Sequence, residues 1–205
     1  MSLKLTFRIK MKSDYHVGAG YGKGTEIDSA LLRDAGTVLN GLLRDGLWRL
    51  LQQAPMRKWR GCQESGLDER ETNERHCGQY TVGDVELCPI CRVFGTPRVM
   101  KRWRIGSARP VDQKELVGTP YESGDMDSQR VMRVRVNPRT RRAAPHKLFA
   151  EEQGGQLTFT FTATCPAEDE AALDEAALLV AAARFVRQLG RSRRRGQGEC
   201  LFWLR

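Results

Sequence analysis

Four cysteines and a histidine gather in one polar stretch of the chain, and they are the residue types that hold metal ions. Cys88-Pro89-Ile90-Cys91 is a knuckle whose two thiolates can reach one tetrahedral ion, with Cys62 and either His76 or Cys77 upstream to complete the set. Four soft donors of this kind suit Zn2+. A closed four-ligand site leaves no open position for catalysis, so the expected zinc is structural, folding a loop too polar to build a core of its own. The plain alternative is free thiols, and a redox role for the C-x-x-C pair lacks a thioredoxin-like setting. Cys165 and Cys200 fall in strand-like patterns and read as packing residues.

A second cluster, Arg191-Ser192-Arg193-Arg194-Arg195-Gly196-Gln197-Gly198, combines charge with backbone freedom. Gly196 and Gly198 let the main chain approach a phosphate string, its N–H groups can point at phosphate oxygens, and four arginines supply charge. The bland reading is a solvated helix end whose arginines face the dipole; the Gly-x-Gly that follows tilts the balance toward RNA. Near the N-terminus, His16-Val17-Gly18-Ala19-Gly20 opens another glycine-rich loop, in which Gly18 and Gly20 permit close approach and His16 is placed to donate to a phosphate or a base. Neither run fits a nucleotide-fold template. The arginine run has no Gly-Lys-Ser/Thr, and residues 18–24 fail G-x-G-x-x-G.

Overall charge agrees with a polyanionic partner: Lys and Arg number 34 against 25 Asp and Glu, a net +9 on 205 residues. No apolar run approaches the roughly 18 residues needed to span a bilayer. The N-terminus alternates apolar and basic residues instead of forming a signal peptide, so the expectation is a cytoplasmic protein with no membrane partner and with reduced cysteines. The length suits one domain, residues 1–205, carrying an insertion.

The elements that must position these residues follow from periodicity. Leu3, Leu5, Phe7, Ile9 and Met11 alternate with polar residues, the pattern of a half-buried strand. Asn40 precedes a predicted amphipathic helix over 41–53, with Leu42, Leu43, Leu47, Leu50 and Leu51 at helical spacing. Residues 54–95 break the pattern and read as the inserted zinc-binding loop. Residues 131–136 and 156–164 look extended, and 137–155 between them is a basic excursion able to project as a hairpin. An alanine-rich helix over 167–189 starts with acids and ends with Arg184 and Arg187, as its dipole favours. A short strand, 200–204, closes the chain. No repeat of fixed period is present. The order predicts an α+β, ferredoxin-like or RRM-like antiparallel sheet with helices on one face, plus the zinc-binding insertion and a β-hairpin thumb.

Taken in order, these motifs resemble the backbone (Cas7-group) subunits of type III CRISPR effector complexes, in the RAMP superfamily. The resemblance rests on His16-Val17-Gly18-Ala19-Gly20, Glu26-Ile27-Asp28-Ser29, Leu32-Arg33-Asp34, Asn40-Gly41 with the helix through Arg49, and Phe94-Gly95. It continues through Val134-Arg135-Val136-Asn137-Pro138-Arg139-Thr140 with Leu148-Phe149-Ala150-Glu151-Glu152, similar to the thumb region, and through the 190–198 glycine loop. It implies a subunit that binds crRNA, stacks on copies or paralogues and other effector subunits, and wedges its thumb into the duplex with complementary target RNA. It also implies that Asp28 drives cleavage of that target by 2′-OH attack, accepting the proton or holding Mg2+ or another divalent ion. Asp34, its neighbour in the motif, reads as a turn residue. The implied RNA contacts are His16, Gly18, Gly20, Arg44, Arg49, Arg133, Arg135, Arg191, Arg193, Arg194, Arg195, Gly196 and Gly198.

One departure stands out. Where the family has a Gly-Ser-Ser-Leu-Lys-Gly pattern, this chain has Gly41-Leu42-Leu43-Arg44-Asp45-Gly46, with Arg44 in place to supply the charge and Asp45 set to repel phosphate. Three other readings compete. A non-catalytic RNA-binding subunit would use the same loop and thumb, and the presence of Asp28 argues for the cutting form. A guide-processing endoribonuclease commonly needs a histidine base, and of three histidines two sit in the zinc or thumb segments. A zinc-stabilised module for other RNAs fits charge and cysteines equally, and only the ordered motifs oppose it.

Overall fold

The computed structural model describes residues 2–22, 36–53, 87–96, 99–111, 128–166 and 169–205. Strand β1 (Leu3–Met11) forms where the alternation predicts it, burying Phe7, Ile9 and Met11 and leaving Lys4 and Lys10 exposed. It lies at the middle of an antiparallel sheet, between β6 (Thr158–Cys165) and β7 (Cys200–Leu204). Beyond β6 the edge is a broken strand made of β2 (Arg104–Ile105) and β3 (Arg109–Pro110), bridged by Gly106 N donating to Thr162 O at 2.7 Å. With α1 (Gly36–Gln53) after β1 and α3 (Glu170–Phe185) after β6, the chain runs β-α-β-β-α-β, the ferredoxin-like order.

Aromatic pairs fix the register. Phe7 stacks on its cross-strand partner Phe161 with ring centroids 5.0 Å apart, and Phe161 meets Phe202 edge-on at 6.3 Å. On the same face, Leu39, Leu43 and Leu47 of α1 lie four residues apart and are fully buried, facing Ala172, Ala176, Leu179 and Ala183 of α3. A side chain at Gly46 would come within 2.7 Å of Val186 Cγ2, so the two helices touch where glycine leaves room.

Both long helices depart from their predicted bounds for visible reasons. The first starts at Gly36 and not at Gly41, because Leu39 extends the apolar stripe by a turn, and Asn40 lies inside the helix. The second is shorter than 167–189. Asp169 caps it by accepting from Ala172 N at 2.7 Å, and it ends at Phe185 because the next residues are drawn into a different bonding pattern: Cys200 N donates to Arg187 O and Leu189 N to Gly198 O. The core also resumes inside the span expected to be insertion. Residues 54–86 lie outside the described set, but Pro89–Phe94 form a short helix, α2, that buries Ile90, Val93 and Phe94.

Between β3 and β6 the chain leaves the sheet as a hairpin of β4 (Ser128–Val136) and β5 (Ala143–Gly154). The paired strands reach beyond 137–155, the span expected for a hairpin. Residues 143–154 are one of its strands, β4 is the other, and residues 137–142 are the tip. Asn137 closes that tip, its N donating to Arg142 O at 2.8 Å and its Oδ1 accepting from Arg139 N at 2.9 Å.

One buried charge ties the layers together. Glu175 of α3 is fully buried; Trp103 Nε1 donates to its Oε2 at 2.8 Å, while Arg92 Nε and Arg102 Nη1 lie 2.5 and 3.3 Å from its Oε1. Arg102 Nη2 also spans both oxygens of Asp169 at 2.9 Å. That hydrogen bond and the Ala172 N–H hold the Asp169 carboxyl below its usual range. Its stabilisation is thus present above the ordinary carboxylate pKa of about 3.9 and is lost as pH falls through the lowered value.

Replacing Glu175 with Ala strands the Arg92 guanidinium and an indole N–H and leaves Arg102 with Asp169 alone, and it should lower stability by about 3 kcal/mol. Urea unfolding followed by circular dichroism measures this. Leu173→Ala, at an exposed position of the same helix, should stay within about 0.5 kcal/mol of the parent.

Candidate nucleic-acid interface

Where β1 ends, its chain continues as a seam that two other elements bond to. Gly198 N donates to Asp14 O at 2.8 Å and Arg191 N to His16 O at 2.8 Å, which docks the arginine loop on one side. Tyr15 and Gly154 exchange backbone hydrogen bonds of 3.0 and 2.8 Å, which docks the root of the hairpin on the other. The close approach requires glycine. Gly190 and Gly198 have φ of +89° and +73°, and a Cβ on either would run into a carbonyl oxygen, that of His16 or of Leu189.

Pinched at Leu189–Gly198, the loop between them is short and determinate. Ser192 takes a left-handed conformation at φ 57°, Arg193–Arg195 make one 3-10 turn, and Gln188 Nε2 donates to Arg193 O at 3.0 Å. Arg191, Arg193, Arg194 and Arg195 all remain exposed. This hydrogen-bonded backbone thus presents four exposed cations, which suits a row of phosphates.

Eight of the residues singled out by sequence line two adjoining recesses. The larger, an open groove of about 510 Å³, is walled by His16 and Gly18 from the seam, Gly41 and Arg49 from α1, and Arg191 and Arg193 from the loop. The smaller, about 400 Å³, lies between Arg133 of the hairpin and Arg193, Arg194 and Arg195. Arg193 belongs to both. Asp45, expected to repel phosphate, also lines the groove, but Arg49 Nε pairs with it at 3.1 Å and offsets its charge. Arg44 is half-buried and does not line this groove. Gly20, Gly196 and Arg135 are exposed, with Arg135 further out on the hairpin.

His16 differs from its expectation as a phosphate or base donor. Its ring is fully buried, and Nδ1, facing a carbonyl, donates to Glu152 O at 2.6 Å. The imidazole therefore clips the hairpin root to the seam. Arg133 is similarly committed: its Nη2 donates to Gln197 Oε1 at 2.9 Å, and its Nε lies 2.6 Å from Glu151 Oε2. Sequence reasoning passed over Glu151, Gln197 and Phe149 as site residues. The signal available was the alternation of β5, which places Phe149 and Glu151 on one face opposite Arg133 and Val131.

The remaining predicted residues divide. Asp28, Asp34, Cys62, His76 and Cys77 lie outside the described residues. Cys88 and Cys91 are described. Cys88 caps α2, its Sγ accepting from Cys91 N at 3.5 Å, and Cys91 is buried beneath it. That turn sets two sulfur atoms at one helix end, a fit for half of a tetrahedral thiolate set. Among the described residues no group of three or more His, Cys, Asp or Glu converges. Cys165 and Cys200 are fully buried packing residues, and burial pushes the Cys200 thiol up to about 12. No described helix is long and apolar enough to cross a membrane.

No curated protein is significantly similar to this chain in sequence. Among solved structures, a chain of the type III-B Cmr-beta complex in its apo state, determined by cryo-EM, matches with a TM-score of 0.61 at 14% identity, covering 98% of this chain and 97% of that one. A chain of the type III-B Cmr-beta complex bound to cognate target RNA matches with a TM-score of 0.59, at the same identity and coverage. At that identity the likeness establishes a shared fold. The sequence itself is matched over residues 8–200 by the model of the RAMP superfamily, and the chain belongs to that superfamily.

Proposed function

We propose that this chain is a backbone subunit of a type III CRISPR ribonucleoprotein, binding crRNA along the seam and cleaving complementary target RNA near Asp28. The observation that carries the reading is the convergence of the N-terminal glycine loop, the α1 face and the arginine loop on one open groove. The fold is shared with chains of Cmr-beta structures, one of them described as bound to cognate target RNA, and this supports the same assignment. The guide backbone runs over Arg49, Arg191 and Arg193 to Arg195. The hairpin, with exposed Met132, Val134 and Leu148 and an arginine-rich tip, supplies a wedge that unstacks the guide–target duplex. Partners are crRNA, target RNA, and stacked copies or paralogues alongside other effector subunits.

Cleavage needs the ribose 2′-OH aligned with the adjacent phosphate. Asp28 accepts its proton or anchors Mg2+ or another divalent ion, which when bound would neutralise phosphate charge. Cys88 and Cys91 supply two of four donors to a structural Zn2+, with Cys62 and Cys77 or His76 as the others. If Asp28 is idle, the same surface makes a non-catalytic RNA-holding subunit.

Three measurements test these assignments. Guide-loaded assembly with magnesium should cut a labelled complementary RNA at regular intervals, and Asp28→Ala should abolish the cuts at matched target binding; binding without cuts in either protein leaves the holding role. Replacing Arg191, Arg193, Arg194 and Arg195 with Ala should weaken RNA binding by at least tenfold and flatten its salt dependence, by roughly 0.7 in log–log slope per lost phosphate contact on a single strand. Metal analysis of the purified chain should find about one zinc per protein, falling on Cys88→Ser.

A further inference from the structure

The face of the sheet turned away from the helices carries charge that the groove does not use. Alternation along β1 sends Lys4, Arg8 and Lys10 to this side, while Phe7, Ile9 and Met11 go to the core. Each of these cations is opposed by a threonine of β6, from Thr164 beside Lys4 to Thr158 beside Lys10, and Arg8 also faces Trp203 of β7. On the far edge, Arg104 pairs with Thr164 and Arg109 with Thr160. One row, Arg109–Thr160–Arg8–Trp203, thus crosses the sheet, with about 4.8 Å between neighbouring strands.

Nothing on this face offsets the charge. None of the strands of the sheet contains an Asp or Glu, and Glu199, just before β7, lies 3.7 Å from Lys12. Lys4, Lys10, Arg104 and Arg109 are exposed, and no ion pair joins them to an acid among the described residues. Cations gathered without acids repel one another, and a polyanion laid over them relieves the repulsion. Because α1 and α3 pack on the opposite side, the sheet separates this surface from the α1 wall of the groove.

We infer that this face is a second nucleic-acid surface, holding a single strand of RNA with its phosphates on Lys4, Lys10, Arg104 and Arg109 and a base against the half-buried Trp203. The groove assignment is not needed for it. A protein partner would call for an apolar centre inside a polar rim, whereas here the centre is Arg8 with Thr160 and the one large ring lies on the β7 side. Threonine hydroxyls can donate to phosphate oxygens, and stacking on an aromatic ring tolerates any base, so the strand is held without regard to sequence.

Fluorescence anisotropy with a labelled uridine 12-mer tests this on the full chain, in the variant whose Arg191, Arg193, Arg194 and Arg195 are replaced by Ala. That variant should still bind the probe, more weakly than the parent. Adding Lys4→Ala, Lys10→Ala, Arg104→Ala and Arg109→Ala should weaken the remaining binding at least about tenfold and flatten its log–log salt slope by roughly 0.7 per lost phosphate contact. Trp203→Leu should weaken it about fivefold, the low end for one stacked base, and leave the slope unchanged. No remaining binding, or remaining binding that survives the four added exchanges, overturns the sheet surface and leaves the groove standing. Binding by the loop variant as tight as the parent's, lost on the four exchanges, supports the sheet surface and overturns the groove. Unchanged affinity in Trp203→Leu overturns the stacked strand; if that variant fails to fold, as circular dichroism would reveal, the four exposed cations decide. Displacement of the probe by an equimolar glutamate 12-mer overturns the RNA assignment in favour of an acidic protein segment.

Discussion

Backbone hydrogen bonding at Asp14, Tyr15 and His16 is the constraint on which the rest of the interface depends. These residues continue from the central strand, so their carbonyl and N–H groups are fixed by the best-packed part of the sheet. The arginine loop and the hairpin each bond to this shared seam. Because the loop bonds to it at Gly198 and Arg191 and the hairpin at Gly154, the arginines of one face the carboxylate and ring of the other across a fixed gap. The left-handed glycines follow from the same requirement, since any Cβ at Gly190 or Gly198 would push the loop off the seam.

Two buried glutamates serve different ends. Glu175 is enclosed by Trp103, Arg92 and Arg102, which join α3 to α2 and to the segment before the sheet edge. Such a cluster contributes little net stability compared with an apolar core, but it is strongly destabilising to break and holds the layers in one arrangement. Glu151 is buried almost as deeply, yet its surroundings are one-sided: a protein wall behind it and an arginine-lined recess in front. The first fastens the helix layer, and the second, paired with Arg133 and Arg191, fastens the hairpin to the arginine loop.

The hairpin shows the same division between structure and interface. Its root buries Ala150, Glu151, Glu152 and Gln153, whereas Met132 opposite Ala150 and, further out, Val134, Val136 and Leu148 are between 47% and 64% exposed. A two-stranded ribbon is marginal by itself in water. Here the Tyr15–Gly154 bridge and the His16–Glu152 contact anchor its base, so the outer apolar and basic residues are left free to meet a partner.

Sequence alone determined the strands that face a core on one side, because period-two alternation in residues 3–11 and 158–165 is a direct imprint of burial. It also determined the two long helices and the exposed charge of the arginine loop. Tertiary structure decided what no local pattern encodes. The alanine-rich helix stops at Phe185 because its last residues bond to Gly198 and Cys200, distant partners whose pull outweighs propensity. His16 reads as a ligand-facing loop histidine, but a carbonyl 136 residues away claims its ring. Nothing local in the sequence singles out Glu151, which is buried where the hairpin meets the arginine loop. Local sequence fixes which faces are apolar and which loops are charged; which of those charges meet is set by long-range hydrogen bonds between segments that have no sequence relation to one another.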